Sequence, residues 1–229
     1  LADRPALASV KFLDESDNTI TRASYGPVWR LLRRNLVAET LHPSRVKLFA
    51  PARAWVRRVL AEKLGREAEE AQARAQAPPP AMEAFRYAMF CLLVLMCFGE
   101  RLDEPAVRAI QDAERKWLLH ISQQMSVFFF FPSVTRHVFR GRLQTARALH
   151  RRQTELFVPL INARREYKRL AKDGQAPARE TTFQHSYVDT LLDITLPDEE
   201  GHRPLTDDEI VRLCSEFFTA GTDTTSTGL

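Results

Sequence analysis

The chain has 229 residues, 45% of them apolar, and a formal net charge of +4. That length makes one large domain or two small ones, with enough apolar material for a buried core. Three cysteines exclude a disulfide framework and fit free buried thiols in a reducing, cytosol-facing setting. No secretory signal is visible, and the longest apolar run, Tyr87 to Phe98, is shorter than the roughly 20 residues of a membrane span, so it reads as a buried helix.

In chain order, the spacing predicts helices over 27–40, 43–75, 81–99, 103–126, 134–171, 183–194 and 206–226, and no strand pattern. The fold class expected is therefore mainly α. Pro27 suits the first turn of the first helix, with Gly26 as its cap. Trp29 and Arg33 then stand one turn apart on one face. Residues 61–77 are polar and helix-prone, a fraying extension. Ala77-Pro78-Pro79-Pro80 and Gly174-Gln175-Ala176-Pro177 are breakers, and 197–204 reads as a surface loop.

Val127-Phe128-Phe129-Phe130-Phe131-Pro132 cannot send every ring into one core. It suits either a membrane interface, with Arg136, Arg140 and Arg142 near anionic headgroups, or an aromatic plug between helices. Charge is unevenly spread. Residues 21–60 hold nine Lys/Arg and one Glu, residues 136–170 ten Lys/Arg and two Glu, and residues 186–229 ten acids and two Arg. No zinc-finger or RNA-binding signature accompanies the basic blocks, so nucleic acid is not expected as a partner.

The last helix opens on a capping box, Thr206 with Glu209. Its apolar stripe runs Ile210, Leu213, Cys214, Phe217 and Phe218, then changes to Gly221 and Thr224 or Thr225. A helix-interior glycine costs about 0.8–1 kcal/mol against alanine, tolerable where something must approach the backbone. Asp223 and the hydroxyl of Thr224 could hold a water or pass a proton, and a locally opened groove there could organise waters for such a relay. A fraying, solvated helix end is the other reading of this run. Other chemistries lack their residues. There is no Gly-x-Gly-x-x-Gly, no phosphate loop, no paired-histidine metal spacing and no serine nucleophile elbow, so no nicotinamide or flavin site is expected in the chain.

Ala220-Gly221-Thr222-Asp223-Thr224-Thr225 resembles the oxygen-binding helix of cytochromes P450, whose pattern is Ala/Gly-Gly-x-Asp/Glu-Thr-Thr/Ser. Trp29-x-x-x-Arg33 resembles the family's C-helix motif. Ala2-Asp3-Arg4-Pro5, Cys97-Phe98-Gly99-Glu100 and Tyr187-Val188-Asp189-Thr190-Leu191-Leu192-Asp193 resemble further family segments, all in family order across the whole chain. The plant microsomal type is the most similar.

The resemblance implies a haem beside Ala220 and Gly221, with Trp29 and Arg33 on a propionate. It implies proton delivery by Thr224 and Asp223, a substrate channel lined by Phe217, Phe218 and parts of 11–24 and 122–131, and a family enzyme that inserts one atom of O2 into a small apolar organic substrate. It also implies electrons from an NADPH-cytochrome P450 reductase docking on the basic 21–60 region, and a place on the cytosolic face of the endoplasmic reticulum membrane, with the Phe cluster touching the bilayer.

Two family features are missing. No haem-ligating cysteine is found, because Cys91, Cys97 and Cys214 lack the surrounding Gly and Arg. The Glu-x-x-Arg spacings at Glu83/Arg86, Glu166/Arg169, Glu200/Arg203 and Glu209/Arg212 all precede the oxygen motif and read as solvated charges. The expectation is a single partial cytochrome P450 domain over 1–229, lacking the membrane anchor and the haem-ligand region. The alternatives are a truncated product that cannot bind haem, and a non-enzymatic helical membrane-surface or scaffold module.

Overall fold

A computed structural model of the chain describes residues 18–77, 79–129, 131–175, 183, 185–198 and 201–228. The Ala2–Pro5 motif and residues 11–17 lie outside them, as does Phe130. Nine α-helices occur among the described residues: α1 Pro27–Leu36, α2 Pro43–Leu48, α3 Ala50–Ala73, α4 Ala81–Phe98, α5 Glu104–Gln124, α6 Pro132–Val138, α7 Arg140–Lys172, α8 Tyr187–Leu191 and α9 Asp207–Gly228. The mainly helical class holds.

Helix boundaries follow local chemistry. Gly26 caps α1 in an extended conformation and Pro27 takes its first position, as the sequence predicts. The chain then makes a π-helical turn, Val37–Leu41, and stops at His42, whose ring accepts a bond from the Ser44 N–H to cap α2. The single helix predicted over 43–75 breaks at Phe49. Pro51 has no N–H, and its ring would collide with the carbonyl four residues back if α2 ran on. Phe49 is buried against Ala52 and Leu95 instead, and α3 restarts behind it.

The segment 134–171 likewise divides at Phe139, leaving the short α6 ahead of α7. The helix predicted over 183–194 is shorter: Ser186 and Asp189 form a capping box that starts α8 at Tyr187, and it ends at Leu191. The predicted loop at 197–204 is instead part of an antiparallel hairpin, β1 Thr195–Asp198 with β2 Gly201–Pro204, in register Thr195↔Pro204 and Asp198↔Gly201. Strands of four residues containing Pro197 and Pro204 have no alternation to read. Gly201, at φ 129°, supplies a backbone conformation that side-chain-bearing residues resist.

The core sits where α4, α7 and α9 meet. Phe218 of α9 contacts Phe90 at 5.2 Å, Phe157 at 5.6 Å and Phe98 at 5.9 Å between ring centres. Cys97 and Cys214 are buried beside them, and all three cysteines are free, as expected. Helix α4 is long and apolar enough to cross a membrane by composition alone, but 56% of it is buried within this fold, which agrees with its reading as a core helix.

The C-terminal half of α7 is fastened to α8 by a bidentate pair. Arg164 donates through Nε and Nη2 to Asp189 at 2.8 and 2.5 Å, with the arginine 3% exposed. Gly99, at φ 70°, ends α4 beneath it, and a Cβ there would lie 2.8 Å from Arg164 Cζ.

Candidate functional site

The first three turns of α9 are locked into the fold. The predicted capping box forms: the Glu209 N–H donates to Thr206 Oγ1 at 3.2 Å, and the Thr206 N–H donates to Glu209 Oε2 at 2.8 Å. Glu209 is not a solvated partner of Arg212. It is 2% exposed and receives Arg203 at 2.7 and 2.8 Å, with Asn18 at 2.8 Å. Burial works to raise its pKa; the bonds from Arg203, Asn18 and the Thr206 amide outweigh that and hold the carboxyl at about 2. Arg212 is buried too, pairing with Asp208 at 2.8 Å. The Glu83/Arg86 and Glu166/Arg169 spacings are real ion pairs on exposed helix faces.

Beyond Phe218 the helix leaves the core. Ala220, Asp223, Thr224 and Thr225 are exposed, and Gly221 is half-buried. The glycine has a packing reason. A Cβ on Gly221 would meet Leu93 of α4 at 2.8 and 3.0 Å, so the close approach it permits is to a neighbouring helix. Ala220 and Thr224, one turn apart, lie on the part of α9 that no described element covers.

The groove expected here is closed. The helix runs unbroken to Gly228, and its threonine hydroxyls donate to carbonyls one turn back: Thr222 to Phe218 at 2.7 Å, Thr224 to Ala220 at 2.6 Å and Thr227 to Asp223 at 2.7 Å. In this state the Thr224 oxygen keeps its lone pairs free to accept. Asp223 leans toward α4, with Oδ1 3.4 Å from Arg86 Nε, an ion-pair distance without hydrogen-bond alignment.

The two aromatic residues predicted to line a channel meet edge to face at 6.2 Å but have different surroundings. Phe218 is fully buried among the core rings. Phe217 stacks on Tyr187 at 5.2 Å and 27°.

On α1, the Trp29 Nε1–H donates to the Ile20 carbonyl at 3.1 Å, and its ring lies against Tyr25 at 5.3 Å. Arg33 is exposed and makes no hydrogen bond or ion pair among the described residues. In the Phe run, Phe128 is fully buried beside Met125, Leu143 and Ala146, whereas Phe131 is 79% exposed. Val134 and Val138 of α6 are exposed as well, at 61% and 66%. The plug reading thus holds for Phe128, while Phe131 lies on the surface.

A cavity of about 490 Å3 opens between α4, α5 and α9, bounded by Phe90, Phe218, Thr219, Thr222, Asp223 and Glu114. Sequence reasoning missed Glu114. Its signal was there: it falls on the apolar stripe Val107, Ile110, Ala113, Trp117, Ile121 of α5, where a charge needs a reason. It accepts Gln153 Nε2 of α7 at 2.8 Å and meets Ser215 Oγ of α9 at 2.8 Å. Burial outweighs those two bonds and pushes its carboxyl up to about 8.

Whether these residues fit a haem is decided on two surfaces. The open Ala220–Thr224 strip offers a small residue and a hydroxyl side by side, and Arg33 holds a free guanidinium suited to a carboxylate. Both fit. The axial ligand is not among the described residues, because Cys91, Cys97 and Cys214 are core thiols. Burial raises Cys91 to about 11 and Cys97 well above its ordinary range.

The sequence pattern of the family "Cytochrome P450" matches residues 2–229. "Cytochrome P450 89A9" of Arabidopsis thaliana is 38% identical over 229 residues, covering 98% of this chain and 41% of that protein. "Cytochrome P450 CYP71D312" of Panax ginseng is 26% identical, covering 100% of this chain and 46% of its own length. "2-hydroxyisoflavanone synthase" of Glycyrrhiza echinata is 24% identical over 92% of the chain and 38% of its own length. The chain thus spans less than half of these relatives.

The Gly221–Leu93 contact is testable by itself. Gly221→Ala should lower the urea midpoint, because overpacking costs about 1–3 kcal/mol and outweighs the gain of helix propensity. In a Leu93→Ala background the new methyl has room, and the same substitution should become neutral or stabilising. A double-mutant cycle of unfolding measures this, and additive effects would separate the two residues.

Proposed function

The chain belongs to the cytochrome P450 family, and on that premise we propose that it forms the proton-delivery and haem-propionate side of a haem-thiolate monooxygenase. The observation that carries this reading is the exposed Ala220–Thr224 strip at the end of an otherwise buried helix. When bound, the haem, with a thiolate from outside the described residues, supplies oxygen activation and insertion of one oxygen atom into a small apolar organic substrate. Ala220 and Gly221 flank it. The Thr224 hydroxyl turns from the Ala220 carbonyl to hold a proton toward the open face, and Asp223, kept near the helix by Arg86, replenishes it. Phe217 and Phe218 act from behind, fixing α9 against α8 and the core.

Arg33 binds a propionate, joined by Trp29 once its N–H leaves the Ile20 carbonyl. The exposed Arg30, Arg34, Arg57 and Arg58 suit an acidic electron donor of the NADPH-cytochrome P450 reductase class. The exposed face of Phe131, Val134 and Val138, beside Arg136, suits the cytosolic surface of the endoplasmic reticulum membrane.

Thr224→Ala should uncouple turnover in the full-length protein. Reductant consumption continues, hydrogen peroxide rises, and product per reductant falls steeply, since a positioned proton donor contributes about 10²–10⁴-fold. Thr227→Ala, whose hydroxyl serves the Asp223 carbonyl, is the control. An unchanged ratio in Thr224→Ala, or an equal loss in both, removes Thr224 from the relay.

Arg33→Ala should release haem more readily than Arg34→Ala, which points about 100° away around the helix. Losing one charge-assisted bond costs on the order of 1.5–3 kcal/mol. Equal haem retention in the two variants would argue against the propionate assignment.

Replacing Phe131 and Val134 with Ser should weaken binding to anionic vesicles at unchanged Tm, because neither side chain is enclosed. A fall in Tm with vesicle binding intact would place this face inside the protein.

A further inference from the structure

Glu114 joins three helices through one hydrogen-bonded ring. Gln153 Nε2 of α7 reaches Glu114 Oε1 at 2.8 Å and Ser215 Oγ of α9 at 3.0 Å, and Ser215 Oγ lies 2.8 Å from Glu114 Oε2. This ring serves the carboxyl in both protonation states. As a carboxylate it accepts from Ser215 O–H and Gln153 N–H. As an acid its own O–H donates to Ser215 Oγ, the Gln153 bond to Oε1 stays, and the serine hydrogen turns to a helix carbonyl one turn back. A proton can therefore come and go without leaving a buried polar atom unpaired.

Glu114 is also a wall residue of the cavity between α4, α5 and α9 that Asp223 borders. At about 490 Å3, with charged and hydroxyl groups among its apolar wall residues, such a space has room for water, which takes only about 30 Å3 per molecule in the liquid. We propose that Glu114 is a proton store for this cavity, passing its proton through cavity water to the Asp223 carboxylate on α9. The Glu114 O–H bond breaks, an Asp223 O–H bond forms, and no electrons change hands. The carboxylate left behind is recharged from solvent at the rim, where Glu83, Asp112 and Arg115 are exposed.

This rests on the reading that Asp223 and Thr224 deliver protons. The charges around the store are balanced. Arg86, Arg108 and Arg115 face Glu83, Asp112 and Asp223 from α4, α5 and α9, and from α7 His150 stands behind Gln153 at 3.4 Å, bound to Asp208. No net counter-charge drives Glu114 to ionise, and its burial favours the acid. With a pKa of about 8 it is protonated about nine times in ten at pH 7, where an ordinary glutamic acid is protonated only a few times in a thousand.

The test is infrared spectroscopy of the full-length protein, paired with turnover. From about pH 6 to about pH 10 the parent should show a carboxylic-acid C=O stretch that disappears with a midpoint near 8. Glu114→Gln, which keeps the shape and stays neutral, should lack the band. Glu114→Asp should keep it at a shifted midpoint. Product formed per reductant consumed should fall in the parent through the same midpoint, lose that step in Glu114→Gln, and regain it, displaced, in Glu114→Asp.

A missing band, or one that survives in Glu114→Gln, overturns the proposal. So does a band that depends on Glu114 while the pH profile of coupling is the same in parent and Gln variant. The infrared result is independent of Thr224, so a failure of the relay reading, seen as normal coupling in Thr224→Ala, is told apart from a failure of the store.

Discussion

The contact between α9 and α4 governs what the rest of the molecule can do. Helix α9 is held along its buried half by Phe218 among Phe90, Phe98 and Phe157, and along its emerging half by Gly221 against Leu93. A helix has no freedom to rotate about its axis once two turns are fixed this way. The face carrying Ala220 and Thr224 is consequently the open one, and Asp223 is directed to the α4 side, where Arg86 waits. Glycine is needed because the two helices come closer than a methyl group allows. Orientation of the site is thus a packing result, settled before any ligand is considered.

Polar groups inside the bundle do a different job. Each of the buried clusters ties α9 or α8 to an element distant in sequence: Glu209 to Arg203 and Asn18, Arg164 to Asp189, Glu114 to Gln153 and Ser215. Apolar packing alone would tolerate small slips between helices. Bonds with fixed donors and acceptors resist them, since a slip would strand a buried charge or hydroxyl at a cost of about 1–3 kcal/mol or more. Glu114 differs from the other two. Glu209 and Asp189 each face a guanidinium, and Arg203 helps hold the Glu209 carboxyl down at about 2, whereas Glu114 has only neutral partners and burial pushes it up to about 8.

Much of this was legible from local chemistry. Pro27, the Thr206–Glu209 box and the apolar stripe of α9 each follow from short-range rules, and each is present. The seven-part helical outline held apart from breaks at Phe49 and Phe139 and the shrinking of the 183–194 helix to Tyr187–Leu191; the Phe49 break depends on proline sterics and on a buried Phe with a partner far along the chain. The hairpin at 195–204 was illegible because its strands are too short to alternate. The site residues were picked out by resemblance, but their surroundings were not: that Phe217 and Phe218 have different neighbours, that Leu93 explains Gly221, and that Thr224 bonds its own helix are facts of tertiary packing. The four-Phe run shows the limit most plainly. Phe128 is core and Phe131 is surface, and no period in the sequence distinguishes them.

Asp223 and Glu114 approach one cavity from opposite circumstances. Asp223 is exposed, near a guanidinium and near solvent; Glu114 is enclosed, with Gln153 and Ser215 as its hydrogen-bond partners. A carboxylate close to solvent exchanges protons with water directly. An enclosed carboxyl holds its proton firmly and releases it only to a path that water can bridge. Both residues border one cavity of mixed polar and apolar lining, and the helix that carries Asp223 also carries Ser215, two turns earlier on the buried side. The helix that presents Thr224 and Asp223 is thus the one whose Ser215 bonds the Glu114 carboxyl, with the Gly221–Leu93 contact between the two levels.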